Sequence, residues 1–429
     1  MVKLFMMFFY IFFLKKSSIS SVLLVMFSLF LLEGFHSGGL NMEFSMINSA
    51  MILLSFMVVV LCFYSDNKMV KGKDNSLKGY LYILSLFIFL MLFFVKSVLY
   101  FYIFFEFSIL PTLMLILYFG YQPERWRAGS YLIFYTFFSS IPLFIFILLM
   151  INKKSGYFYM INMDEKLWLG GVISGVCLLA FLTKLPIYGL HIWLPKAHVE
   201  APISGSMILA GVLLKLGGYG LVQFLFFFSK NFYLFLSWSI MGGLISCMVT
   251  FRQSDLKCFI AYSSVGHMCF FMGSLFILFS LGSQGGILMM LNHGFVSCGM
   301  FMVASFMYER VYSRGIFNLG GLGFTLVSGQ LFFFFILMLN MSIPPFMGFL
   351  SEILMIFNVY MVGSLVMWSS FIIFFLLVGV ISIFFMLSLG HSEGLSMILL
   401  KGFNLRELSV SFFMLYLSFS FFFLLCLFN

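Results

Sequence analysis

"FLTKLPIYGLHIWLPKAHVEAP", from Phe181 to Pro202, decides the fold. It opens as an apolar helix, then sets Lys184, Pro186, Gly189 and His191 within eight residues. A lysine inside an apolar run, beside a residue that interrupts helices, carries a cost that needs a reason.

The rest of the chain identifies the surroundings. Its 429 residues are 63% hydrophobic and only 9% charged, with a mean hydropathy of +1.14. A soluble domain carries about 25% charged residues, because its exterior faces water. Apolar runs of 18 or more residues recur here, which predicts membrane-spanning helices and not a barrel of short alternating strands. The formal charge of +9 does not indicate a nucleic-acid partner, since the basic residues are scattered through short loops without forming a stripe. Cysteines 62, 177, 247, 258, 269, 298 and 426 stand alone in apolar contexts with no CxxC spacing. They read as buried thiols, not as a metal or disulfide framework. "LGGLGF" at 319–324 follows no strand and is not a dinucleotide fingerprint. The opening "MVKLFMMFFYIFFLKKSS" lacks a small-residue cleavage site and reads as a retained first helix.

Hydropathy predicts an all-α polytopic membrane protein of about fourteen segments. They cover about 2–14, 18–32, 45–64, 79–96, 98–119, 128–150, 167–193, 204–228, 232–250, 257–280, 285–307, 326–361, 365–390 and 409–428. Fifteen of the 23 lysines and arginines then fall on one side and six on the other; Lys184 and Lys215 remain at membrane depth. That bias puts the basic side at the matrix or cytoplasm and both termini opposite. Segments seven and twelve each carry P-x-x-G, at Pro186–Gly189 and Pro345–Gly348, and both are expected to break. Five segments separate them, and an odd spacing reverses direction across the membrane. Residues 79–228 (helices 4–8) and 229–390 (helices 9–13) are therefore expected to be inverted copies, preceded by 1–78 and followed by 391–429.

Four strong ionisable groups lie deep in these segments: Glu106, Lys184, Lys215 and Glu352. Each costs about 2.5–3.5 kcal/mol near a helix centre, so the four together cost roughly 10 kcal/mol. Structural ion pairs or snorkelling are the plain explanation. Glutamate is too short to snorkel, however, and both lysines sit beside backbone breakers, at Pro186 and Gly217–Gly218. A proton or ion pathway accounts for the set better. At 4 Å and an effective dielectric of 20, a Glu–Lys pair is worth about 4 kcal/mol. Carrying a charge through about 180 mV costs a similar amount. Making or breaking one pair is thus enough to load or discharge a lysine. His191, His267 and His293 are second-tier relay candidates, and His198 and Glu200 fall where a half-channel would open. No Ser-His-Asp or metal-ligand spacing occurs.

The blocks "FFEFSILPT", "GYQPERWRAGSYLIFYT", "KLPIYGLHIWLPKAHVEAPISGSMILAGVLLKLGGYG", "SDLKCFIAYSSVGHM", "NHGFVSCGMF" and "SIPPFMGFLSE" closely resemble the antiporter-like membrane subunits of mitochondrial NADH–ubiquinone oxidoreductase, respiratory complex I, of the chain 4 type. The resemblance runs from about helix 4 through helix 12. It implies fourteen helices, with helices 7 and 12 broken inside two inverted five-helix repeats. It makes Glu106 and Lys184 a controlling pair, places Lys215 on a central hydrophilic axis, and leads from Glu352 toward proton exit. Glutamate at that last position, where sister chains carry lysine, favours the chain 4 type. The lack of a long lateral helix argues against the chain 5 type, and three helices before the first repeat argue against a shortened chain 2. The implied activity is proton translocation, as part of an H+-translocating NADH:ubiquinone reductase in the mitochondrial inner membrane. NADH, FMN, iron–sulfur clusters and ubiquinone would be bound by other subunits, and no cofactor by this chain. Sister chains 2 and 5 and phospholipids are the implied neighbours. An Mrp-type or stand-alone cation/proton antiporter subunit is the alternative.

Overall fold

The computed structural model describes residues 42–65, 73–120, 122–152, 171–224, 233–277, 280–321, 327–344, 346–361, 364–390, and 407, 408, 410–412 and 414. The first two predicted segments and nearly all of the fourteenth lie outside them. The described residues are mainly helical, and an isolated bridge joins Asp255 to Gly315.

The helices follow the hydropathy segments within a few residues. They are α1 (Met42–Ser65), α2 (Lys73–Phe94), α3 (Val98–Phe107), α4 (Ile109–Phe119), α5 (Arg125–Asn152), α6 (Gly171–Lys184) and α7 (Trp193–Glu200). Then come α8 (Ile203–Phe224), α9 (Tyr233–Thr250), α10 (Leu256–Phe276) and α11 (Ser280–Val311). The last are α12 (Val327–Asn340), α13 (Met347–Met361) and α14 (Leu365–Gly390). Among the described residues, eight stretches are long and apolar enough to cross a bilayer.

Burial separates a centre from a periphery. In α8 the whole apolar window is buried, against 33% in α5 and in α14. Phe134 and Phe138 of α5 and Leu376 and Val380 of α14 are exposed, as lipid-facing side chains are. The most buried span is therefore α8, packed against α1, α6 and α11, and it carries Lys215.

Four irregularities interrupt the ladder, two of them beside a described proline. Segment five divides at Ser108, a break that hydropathy does not foretell. Pro111 has no N–H to give the Phe107 carbonyl, so the ladder fails one turn before it. Segment seven stops at Lys184 because Pro186 cannot donate to Leu182; the Ile187 N–H reaches back to that carbonyl instead, at 3.3 Å. Gly189, at φ +99°, then makes a turn that other residues rarely adopt. In α8, Leu209–Leu213 form a π turn, also unforeseen from hydropathy. Segment twelve stops at Asn340, passes through Ser342 at φ +54° and resumes at Met347. Pro345, expected to cause that break, lies outside the described residues.

Candidate functional site

The α3–α4 joint and the end of α6 meet. The Lys184 ammonium donates to the Phe105 carbonyl at 2.6 Å, and the Ser108 hydroxyl donates to the same oxygen. The lysine nitrogen also lies 3.1 Å from the centroid of the Phe105 ring, a cation–π arrangement. Phe181 packs edge-on against that ring at 5.6 Å and tilts against Phe224 at 5.1 Å, which closes a largely aromatic sleeve. Glu106 is the acidic group whose field acts on this amine, and Ser140 lies beside its carboxyl. The amine's hydrogen bond nevertheless goes to Phe105, and one Glu106 carboxylate oxygen is buried without a partner. The expected pair is thus adjacent in space while its lysine is bonded to the backbone.

Trp193 ties the two halves of the broken helix together. Its indole N–H donates to the Thr183 carbonyl at 2.9 Å, and the Thr183 hydroxyl is 2.7 Å from that of Ser139. His191 serves the turn. Its Nδ1 accepts the Gly189 N–H at 3.0 Å, and its ring stacks on Tyr188 and meets Tyr262.

Lys215 is fully buried. Its ammonium donates to the carbonyl of Ala210, inside the π turn, and lies 2.7 Å from His293 Nδ1. A π turn displaces the i→i+4 pattern, so a side chain finds an acceptor where a regular helix has none to spare. The two lysine-bearing helices touch at Gly217: a methyl group there would stand 3.0 Å from the Leu185 nitrogen and 3.2 Å from Lys184 Cβ.

Beyond Lys215 the polar groups continue. The His293 and His267 rings are 5.7 Å apart, and both His267 nitrogens are buried without a hydrogen bond, with Asn340 alongside. At the second break, Ser342 and Asn292 crowd Gly348, and Ser342 faces Glu352. One Glu352 oxygen is buried and unpartnered. The structure therefore gathers Lys215, His293 and His267 in one cluster and lines Asn340 and Ser342 toward Glu352. Glu106 and Lys184 form a separate cluster, joined to the first through the α6–α8 contact rather than a hydrogen bond.

Sequence reasoning missed several contributors. Lys257, assigned to the loops, is buried and donates to the Val199 and Ala201 carbonyls at 3.3 and 2.7 Å. Arg314 also donates to Val199, at 3.1 Å. Together they bond the last carbonyls of α7, where cations are favoured. Glu200 lies among them; burial pushes its carboxyl above the ordinary carboxylate range while Arg314 pulls it down. His198 is wholly buried, stacked on Phe301 at 4.8 Å. Asn340 and Ser342 carried a readable signal, two polar residues in the apolar segment 326–361. Lys257 carried none. Among the described residues, no three His, Cys, Asp or Glu side chains converge as a metal site.

A family model described as "NADH:quinone oxidoreductase/Mrp antiporter, TM" matches residues 95–374. This chain belongs to that family. It is 41% identical over 336 residues to NADH-ubiquinone oxidoreductase chain 4 of Ceratitis capitata, covering 76% of this chain and 73% of the relative. In fold it matches a chain of respiratory complex I from Thermus thermophilus, with a TM-score of 0.78 at 22% identity, over 87% of this chain and 79% of that one. A chain of the Mrp complex from Dietzia sp. matches with a TM-score of 0.72 at 16% identity, over 81% and 67%. The family's matched region contains all four deep charges and both breaks.

Proposed function

We propose that this chain is a proton-translocating membrane subunit of respiratory complex I, in the mitochondrial inner membrane. NADH oxidation and ubiquinone reduction proceed in other subunits, which hold the FMN and iron–sulfur clusters. The observation that carries the proposal is Lys215: a wholly buried amine bonded to a backbone carbonyl and a histidine, without a carboxylate among those bonds. A lysine so held is poorly compensated as a cation, and its site serves the neutral amine nearly as well.

In the proposed cycle, a change of field from a neighbouring subunit shifts the balance between Glu106 and Lys184. The Lys184 proton passes toward Lys215, then by way of His293 and His267 toward Glu352. His191 is left out, because its Nδ1 is committed to the Gly189 N–H. Fourteen helices in two inverted repeats, 79–228 and 229–390, with termini on the intermembrane-space side, complete the proposed topology. Sister chains 2 and 5 flank it, with phospholipids along the exposed faces of α5 and α14.

The identity to chain 4 subunits favours this function over an Mrp-type antiporter, which is supported by fold at 16% identity. The test is proton pumping by assembled enzyme in proteoliposomes. Lys215→Met should leave NADH–quinone reductase activity co-purifying with the chain and lower the protons moved per NADH. A wild-type ratio from well-assembled Lys215→Met enzyme overturns the proposal. Sodium-dependent exchange without any quinone-reducing partner would favour the antiporter.

A further inference from the structure

Lys215 uses only one of the two directions open to it. Its side chain runs back along α8 to Ala210, while Tyr219 and Gln223 follow it at spacings of four on the same helical face. Tyr219 is fully buried and donates to Asn48 Oδ1 on α1 at 2.9 Å. Gln223 lies against the Tyr219 hydroxyl and is buried, and its amide nitrogen has no hydrogen-bond partner. Phe93 meets the Tyr219 ring edge-on at 5.1 Å, and Phe101 packs between Tyr219 and Phe224. A polar run is thus enclosed by aromatic rings, from the middle of α8 to its end at Phe224.

Pinning α1 to α8 explains the Tyr219–Asn48 bond. It does not explain Gln223, a buried amide beside the Tyr219 hydroxyl, near the end of α8, whose nitrogen makes no well-formed hydrogen bond. A site for transient water does explain it: an amide donor, a hydroxyl and an amide oxygen are the two to four polar partners that a buried water needs.

We propose that Tyr219, Asn48 and Gln223 form a second outlet from Lys215, leading to the membrane side on which α8 ends. The amine alternates between two stations. In one, seen here, it bonds Ala210 and His293. In the other it bonds the Tyr219 hydroxyl, whose lone pairs remain available while its proton is engaged with Asn48. There one N–H bond of the ammonium breaks, the nitrogen keeps the electron pair as a neutral amine, and the proton joins a water held by Tyr219 and Gln223. No group is oxidised or reduced. Lys215 is then loaded from one side and unloaded to the other by swinging its own side chain, so that the route through His267 and Glu352 is not its sole outlet.

This inference rests on Lys215 being a proton carrier, and the test separates the two claims. Protons moved per NADH are compared for Lys215→Met, Tyr219→Phe and Gln223→Leu in assembled enzyme. Tyr219→Phe and Gln223→Leu should each remove at least half of the pumping that Lys215→Met removes. If Lys215→Met loses pumping while both other variants keep the wild-type ratio, the outlet is overturned and the carrier role stands. If Lys215→Met pumps normally, both claims fall. A second measurement does not depend on pumping. Gln223→Cys should react with a small, charged, membrane-impermeant thiosulfonate about tenfold faster than Leu221→Cys, and from one side only. Equal, slow labelling of both positions overturns the water-bearing outlet.

Discussion

Lys184 and Lys215 are both buried lysines beside a helix irregularity, yet they are held by opposite kinds of surroundings. Each ammonium is bonded to a backbone carbonyl at an irregularity: Phe105 at the α3–α4 joint and Ala210 in the π turn of α8. Around Lys184 stand an aromatic face and the Glu106 carboxylate, both of which favour a cation. Around Lys215 stand His293, which it touches, and His267 and His198 in its field; none of these balances its charge when neutral. The difference teaches that burial alone does not define a proton carrier. Lys184 sits where a neighbouring carboxylate can govern its charge, whereas Lys215 has a carbonyl and a histidine, and no carboxylate, among its hydrogen bonds.

Arginine separates the two roles, because it cannot lose its proton at any physiological pH. Lys215→Arg should lower protons per NADH as far as Lys215→Met does, whereas Lys184→Arg should retain part of the coupling that Lys184→Met loses. Equal retention at both positions would erase the contrast. A smaller effect is expected from Gly217→Ala, which presses a methyl group against Leu185 and Lys184. Such overpacking costs about 1–3 kcal/mol, so the variant should inactivate at a lower temperature and lose coupling in parallel. The smallest effect is expected from His191→Asn. Asparagine can still accept the Gly189 N–H, so pumping should change by less than about twofold. A loss as deep as that of Lys215→Arg would make His191 a relay after all.

Much of the architecture was legible in the chain itself. Hydropathy located the helices within a few residues, because lipid penalises any polar side chain that is not internally satisfied. The same penalty made Glu106, Lys184, Lys215 and Glu352 stand out. Pro186 announced the break beside Lys184, since a missing N–H is a property of the residue type. Pro111 carried the same message for the α3–α4 joint, where apolar continuity concealed it. Other features had no local signature. The π turn lies in an unremarkable apolar run, and Lys257, grouped with the loop cations, is folded inward against the end of α7. His191 and His293 look alike in sequence, yet one serves a turn and the other a lysine.

By itself, then, the order of residues determined where the chain crosses lipid, which charges it carries there and where two of its helices fail. These follow from each residue's own transfer cost and backbone chemistry. Only the packed structure decided which partner each charge meets: Lys184 with Phe105, Lys215 with His293, and Tyr219 with Asn48, 171 positions away. Distances between helices depend on how side chains from remote segments fill shared space, and no local property of the chain encodes them.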